Sequence, residues 1–295
     1  MVIPTLRREE PLLETIAGVL ATTPRPSEVL VVDQSPSHSA ATTERLGELE
    51  LAGDIRWLRL DEPSIPRAMN VGLVAAKEET VLFADDDIVP STSLIAEHAR
   101  VHASQDPQLV AGRVVQPWHE GWSDFDPESI PETGVVDRSE EFMGGNFSVK
   151  KSFAVGLGGF DENFVGAGYR FEAEFAGRLL AASGRILFSP AAVIKHLKVN
   201  AGGTRFFGEH LRTARPTHAV GAYYYLLRGI SVPRRFRRLL ARPLRSVRTR
   251  HHLRRPWWIP VTLMAEAGGL LWAVALFLRG PRYLTLSTPS SAHND

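Results

Sequence analysis

The sequence predicts an α/β fold built on a parallel sheet with helices on both faces. Three observations predict it. Short, continuous apolar runs such as EVLVVD at 28–33 and TVLFA at 80–84 suit strands covered on both sides. Stretches with helical spacing of apolar residues lie between them, so strand and helix alternate. The runs end on Thr5, Asp33 and Asp85–Asp87, at the carboxyl edge where such sheets bind ligands.

In chain order, residues 2–4 form a stub of strand. Residues 10–21 are helical, with Leu12, Leu13, Ile16 and Leu20 apolar. Strands follow at 28–33 and 55–60, a helix at 64–76, and the most apolar strand at 80–84. The second half is more mixed. Residues 108–115 are strand-like, 118–131 form a loop rich in Trp, Asp, Ser and Pro, and 141–151 form a strand carrying the pair Gly144–Gly145. A glycine-rich stretch at 156–168 leads into a helix at 171–183. Two further short strands lie at 185–188 and 192–194. The chain is expected to divide into an α/β domain at 1–210, a basic and apolar helical region at 211–285, and a disordered tail at 286–295.

Composition narrows the classes. A hydrophobic fraction of 44% and a charged fraction of 23% describe a globular protein with a core. The chain has no cysteine, which excludes a disulfide scaffold and a thiolate metal site. MVIPTLRREE is not a basic start followed by an apolar run, so the α/β domain is expected to stay in the cytosol. The net charge of +1 hides an asymmetry. Residues 211–256 hold 13 arginines and no acid, whereas residues 1–210 hold 19 basic and 31 acidic residues. Such a split predicts a basic segment with its own anionic partner.

Asp85, Asp86 and Asp87 are the sharpest chemical signal. Adjacent carboxylates repel, and ionised acids avoid apolar surroundings unless paired. A divalent cation at this strand end relieves both costs. Oxygen ligands suit Mg2+ or Mn2+, which also bind substrate phosphates. The bland alternative is a solvated acidic turn.

The ordered set VIPT, VVDQS, IPRAMNVGL, FADDD, GGN, GGFDE, an acidic helix start and a late histidine resembles the family 2 glycosyltransferases, from Met1 to about Arg205. The resemblance implies a GT-A-type, Rossmann-like mixed sheet flanked by helices, and inverting transfer from a nucleotide sugar. By the same resemblance Pro4 and Thr5 line the nucleotide pocket, and Asp33 accepts a hydrogen bond from the base. Arg67 and Asn70 sit near base and phosphates, together with Asp86. Asp85 faces ribose or metal, and Asp87 ligates the metal that bridges the phosphates. His196, before Gly202-Gly203-Thr204-Arg205, is implied as a further metal ligand, although a lone histidine is more often structural. Gly145 and Asn146 are placed beside the sugar, with a strand bulge as the alternative. Relatives carry a few residues before VIPT, so either the pocket edge is thin here or the chain starts upstream.

Inverting transfer needs a carboxylate to deprotonate the acceptor hydroxyl. By the resemblance, counting back from Arg178-Leu179, Glu172 is expected to take that position. Phe171 stands where the family has another acid, and Glu174 is the competitor. Two residues apart on a helix, Glu172 and Glu174 cannot share a face.

Eleven arginines lie between 228 and 255, followed by Trp257-Trp258 and by residues 259–278, an apolar stretch with one charge, Glu266. Length and flanking tryptophans suit a membrane helix. A single span and a surface-lying helix held by anionic lipids remain open. The expected partners are a nucleotide-sugar donor, a lipid-linked or glycan acceptor and an anionic membrane surface at the cytoplasmic side of the plasma membrane. Nucleic acid is disfavoured by the acidic body, and homodimerisation stays open. Two rivals remain. A nucleotidyltransferase would want a glycine in the Thr5-Leu6-Arg7-Arg8 segment. A non-catalytic membrane scaffold would tolerate Phe171.

Overall fold

The computed structural model describes residues 1–119, 136–138, 142–199, 201–207, 213–230 and 232–284. The loop expected at 118–131, from residue 120 on, and the tail at 286–295 lie outside the described residues.

Four parallel strands make one half of the sheet: β1 (Val2–Thr5), β2 (Leu30–Asp33), β3 (Arg56–Arg59) and β4 (Thr80–Ala84), in the order β3-β2-β1-β4. The other half is mixed. It contains β5 (Ile88–Pro90), β6 (Leu109–Val115), β7 (Val136–Arg138), β8 (Asn146–Lys150) and β9 (Ile186–His196). β8 runs antiparallel to both β4 and β6, β9 is parallel to β6, and β5 and β7 lie antiparallel on β9. The parallel strands read from the apolar runs are one half of the sheet, and β8, reversed beside β4, makes the whole sheet mixed, as the family resemblance implied. This mixed sheet flanked by helices is the GT-A-like arrangement.

The apolar strands serve two cores because successive side chains point to opposite faces. Val2, Leu30, Val32 and Phe83 face one core. Ile3, Val31, Leu82 and Ala84 face the other. The second is closed by Leu12, Ile16 and Val19 of α1 (Glu10–Leu20) and by Leu46 of α2 (Ala40–Leu51). The first is covered by α3 (Ile65–Ala75), which starts where the Ser64 side chain accepts from the Arg67 N–H. Phe83, Phe147, Phe160 and Phe175 form its aromatic centre, with the Phe83 and Phe147 rings stacked at 5.0 Å. α4 (Leu94–Gln105), α5 (Lys151–Gly156) and α6 (Phe171–Ala181) complete the flanks.

The strands expected at 185–188 and 192–194 are one strand, β9, with a register shift opposite Gly112/Arg113. Asn146 repairs it. Its Nδ2 donates to the carbonyls of Ala192 (2.9 Å) and Arg113 (3.1 Å), and its Oδ1 accepts from His98 Nε2 (2.9 Å). A Cβ on Gly112 would fall 2.2 Å from that amide nitrogen. A polar relay continues behind it, with His98 Nδ1 at 2.8 Å and His102 Nε2 at 2.9 Å from Ser148 Oγ. Burial pushes both histidines down to about 4.

The C-terminal helices are α7 (Ala219–Arg228), α8 (Arg235–Val247), α9 (Arg250–Arg254) and α10 (Trp258–Arg279). α7 places Val220, Tyr223 and Tyr224 in the first core, and α10 lies along it through Thr262, Ala265, Glu266, Gly269, Ala273 and Leu276. Glu266, a costly charge on sequence grounds, is held in a two-point ion pair by Arg242 at 3.0 and 3.1 Å. α10 is the one described helix long and apolar enough to cross a membrane. Beyond it, the Arg282 N–H donates to Asp161, and Leu284 returns to the first core.

Two expectations follow. Asn146→Ala leaves two buried carbonyls and a histidine N–H unpaired and should destabilise the fold by about 2–4 kcal/mol, read from urea unfolding. Because the native histidines titrate near 4 and unfolded ones near 6.5, the unfolded chain binds more protons in between. Stability should therefore fall as pH drops from about 6.5 to about 4, by about 3 kcal/mol through His98 alone. Urea midpoints at pH 7 and 4.5 should show the fall, and His98→Gln should shrink it.

Candidate active site

The end of β4 delivers three carboxylates into one small volume. Asp86 is buried, accepts a 2.7 Å hydrogen bond from Thr5 Oγ1 and lies 3.3 Å from Arg8 Nε. Asp87 is also buried. Its Oδ2 accepts from Arg8 Nη2 (3.1 Å) and the Val199 N–H (2.9 Å), and its Oδ1 faces His196 Nε2 at 3.1 Å. Asp85 stays at the mouth with 43% of its side chain exposed, 3.8 Å from the same histidine nitrogen.

Charge explains the arrangement. Burial, opposed by Arg8 and the Thr5 hydrogen bond, pushes Asp86 up to about 7. Burial also works against an ionised Asp87, but the His196 hydrogen bond and charge, with Arg8, hold it below the usual carboxylate range. The His196 ring is desolvated too. The bond to Asp87 and the charges of Asp85 and Asp87 outweigh that and raise it.

Asp85, Asp87 and His196 each offer one ligand atom, all within 4.8 Å of one another. Two carboxylate oxygens and an imidazole nitrogen suit Mn2+ or Mg2+. Gln116 Oε1 lies 2.9 Å from His196 Nδ1, so it can accept a hydrogen bond from Nδ1–H and leave Nε2 facing the carboxylates. The donor set fits a divalent cation.

The pair Gly144–Gly145 brings a fourth carboxylate, that of Glu172, alongside. A Cβ on Gly145 would sit 2.1 Å from Asp85 Oδ2, and one on Gly144 would sit 2.9 Å from Glu172 Oε1. Only residues without a Cβ let both acids press against this backbone. Glu172 and the Asp85–Asp87–His196 cluster therefore flank one turn. Phe171, standing where an acid was expected, is buried against Phe160.

A pocket of about 160 Å³ opens beside the cluster, lined by Pro4, Thr5, Gln34 and the three aspartates, and roofed by Gly203, Thr204 and Arg205. Several expected ligand residues lie elsewhere, for visible reasons. Asp33 is buried and its carboxylate is engaged by Trp57 Nε1, His38 Nε2 and the Ser35 N–H; Gln34 lines the pocket instead. Asn70 is buried and its amide pairs with both backbone groups of Phe160. Arg67 points toward Glu62 at 3.8 Å, while Ile65 and Met69 of the same helix reach the pocket. Asn146 is committed to the register shift rather than to a sugar. Glu174 is fully buried in an ion pair with Arg178 at 2.9 Å, so it is not a competitor for the position of Glu172. Arg8 and Gln116 were missed. Arg8 carried a signal in the charged run after β1, but Gln116 gave none.

The profile of Glycosyl transferase family 2 matches residues 1–174, well over half of the chain. The chain belongs to this family. Among solved structures it is similar to the mannosyltransferase PcManGT from Pyrobaculum calidifontis, in complex with GDP-Man and Mn2+. The identity is 20%, 95% of this chain and 78% of that one are covered, and the TM-score is 0.57. It is also similar to S. aureus TarS 1-349 with UDP-GlcNAc (14% identity, 92% and 80% covered, TM-score 0.62). A third is GalNAc-T7 with UDP, GalNAc and Mn2+ (15% identity, 66% and 43% covered, TM-score 0.54). At these identities the likeness is one of fold. No curated protein matches the chain.

Arg8 gives a direct test. Replacing it with Met strips the cation from two buried carboxylates and should cost about 3 kcal/mol of stability. Added Mn2+ should then raise the melting temperature of R8M more than that of the unaltered protein, because the metal supplies the missing charge.

Proposed function

We propose that the chain is an inverting glycosyltransferase that moves a sugar from a nucleotide-diphosphate sugar to a lipid-linked or polysaccharide acceptor at the cytoplasmic membrane face. The observation that carries this reading is the approach of Asp85, Asp87 and His196 on one side of Gly144–Gly145 and of Glu172 on the other. A cation held by the first three would neutralise charge on the diphosphate leaving group.

The remaining chemistry belongs to the chain. Thr5 and Arg8 fix Asp86 and Asp87, so the ligand oxygens are preset. Glu172 takes the proton of the acceptor hydroxyl as that oxygen attacks the anomeric carbon from the face opposite the leaving group. The nucleoside diphosphate departs with the electron pair of the broken bond. The segment Gly203–Arg205, over the pocket, limits water at the reacting carbon.

The membrane half of the proposal rests on the C-terminal helices. Leu240 and Leu244 of α8, Leu253 of α9, Trp257, and Leu271 and Leu278 of α10 are exposed beside the arginine-rich segment. Such a surface matches a bilayer interface carrying anionic lipid.

In thermal-shift assays with UDP, GDP, dTDP and CDP, one nucleotide should raise the melting temperature only when Mn2+ is present. Asp87→Ala should lose that effect. Glu172→Gln should keep it while transfer falls about 100-fold or more. A folded sample that responds to no nucleotide would refute the reading.

A further inference from the structure

A second cavity, of about 430 Å³, lies among α7, α8, α10 and the turn that starts α6. Its size falls in the range of about 300–1,000 Å³ common for small-molecule sites. Five arginines line it: Arg170, Arg215, Arg238, Arg242 and Arg245. Glu266 is the one carboxylate among the lining residues, and Arg242 occupies it. Clustered guanidinium groups in a concave site repel one another and favour an anion, and their forked donors match phosphate oxygens.

The helix that supplies three of these arginines has an inverted polarity. Arg238, Arg242 and Arg245 recur at helical spacing and face the cavity. Phe236, Leu240 and Leu244 recur on the other side and are 69%, 79% and 55% exposed. An ordinary surface helix turns its charges outward and its apolar residues inward. Here an apolar stripe lies on the outside, broken by the exposed Arg237 and continuing to the exposed Leu253 and Trp257. A ligand matched to both faces carries phosphate on a hydrocarbon chain.

The cavity also adjoins the reaction site. Arg170 adopts a left-handed backbone conformation (φ 77°), costly for a residue with a Cβ. Its guanidinium lies over the rings of Tyr169 and Tyr225, at 5.2 and 6.0 Å. Glu172 is two residues further on.

We propose that this cavity binds the phosphate or diphosphate headgroup of the lipid-linked acceptor, with its chain on the apolar side of α8, and so presents the acceptor to Glu172. This rests on the transferase reading above. It differs from general attraction to a bilayer, because a concave basic cavity selects one headgroup rather than a surface.

The test is a titration of the full-length protein in detergent with farnesyl diphosphate, farnesol and inorganic diphosphate, alongside flotation with phosphatidylglycerol vesicles. Farnesyl diphosphate should bind at least tenfold more tightly than either fragment. Arg238→Gln/Arg245→Gln should weaken it tenfold or more, with an unchanged melting temperature and an unchanged Mn2+-dependent nucleotide shift. α8 buries no side chain fully, so this variant keeps its fold. Equal binding by the variant, equal binding of farnesol, or binding to vesicles without binding to farnesyl diphosphate would each overturn the proposal. Arginine-dependent binding without any nucleotide response would instead sink the transferase reading and leave the headgroup site standing.

Discussion

Three consecutive aspartates at the end of a buried strand give the chain an electrostatic problem that much of the structure answers. One cation does not reach all three side chains, so Arg8 and His196 divide them, and Asp87 lies near both. Asp86 points into the body and receives Thr5 and Arg8. Asp87 shares Arg8 and adds His196 and the Val199 N–H. Asp85 remains at the mouth, beside His196. The partners come from β1, the turn after it, and the end of β9, so the strand order of the sheet is part of the site. β9 must end level with β4, and the register shift repaired by Asn146 sets where it ends.

How far the sequence foretold this depends on what kind of force places each residue. Apolar strands, the acidic strand end and the histidine were legible because burial and charge leave a local pattern. β8 was harder. Its direction depends on pairing with β4 and β6, which is decided by contacts far apart in sequence. The amides of Asn70 and Asn146 and the carboxylate of Glu174 lie where motif order suggests ligand contacts, yet each satisfies a buried partner of the framework. Sequence spacing cannot separate a polar side chain that meets substrate from one that meets an orphaned carbonyl, since both are polar and both sit near the site. Gln116 acts only through His196, and α2 is too polar to show a clear helical face.

The basic C-terminal region illustrates the same limit. Its arginine content was plain, and so was its long apolar helix. What composition could not reveal is that α7 belongs to the first core and that Glu266 on α10 meets Arg242 on α8. The charge that weighed against an apolar helix is paired with a neighbouring helix instead of facing hydrocarbon. α10 is consequently apolar on both sides for two reasons, one face packing on α7 and the other lying exposed.

α6 joins these two halves. Its first turn carries Glu172 against Gly144, while the residue before it, Arg170, turns the other way into the arginine cavity. Further along, Glu174 and Arg178 lock the helix to the carbonyls of Leu157 and Gly159, and Tyr283 donates to Glu174 from the returning C-terminal segment. The helix start is thus held from below by a buried ion pair and from one side by the C-terminal helices. On the proposed role of Glu172 as base, such fixing matters, because proton transfer depends steeply on distance. The strained backbone at Arg170 fits the same logic. The turn sets Arg170 and Glu172, on either side of the buried Phe171, in different surroundings: Glu172 beside Gly144, and Arg170 in the arginine-lined cavity.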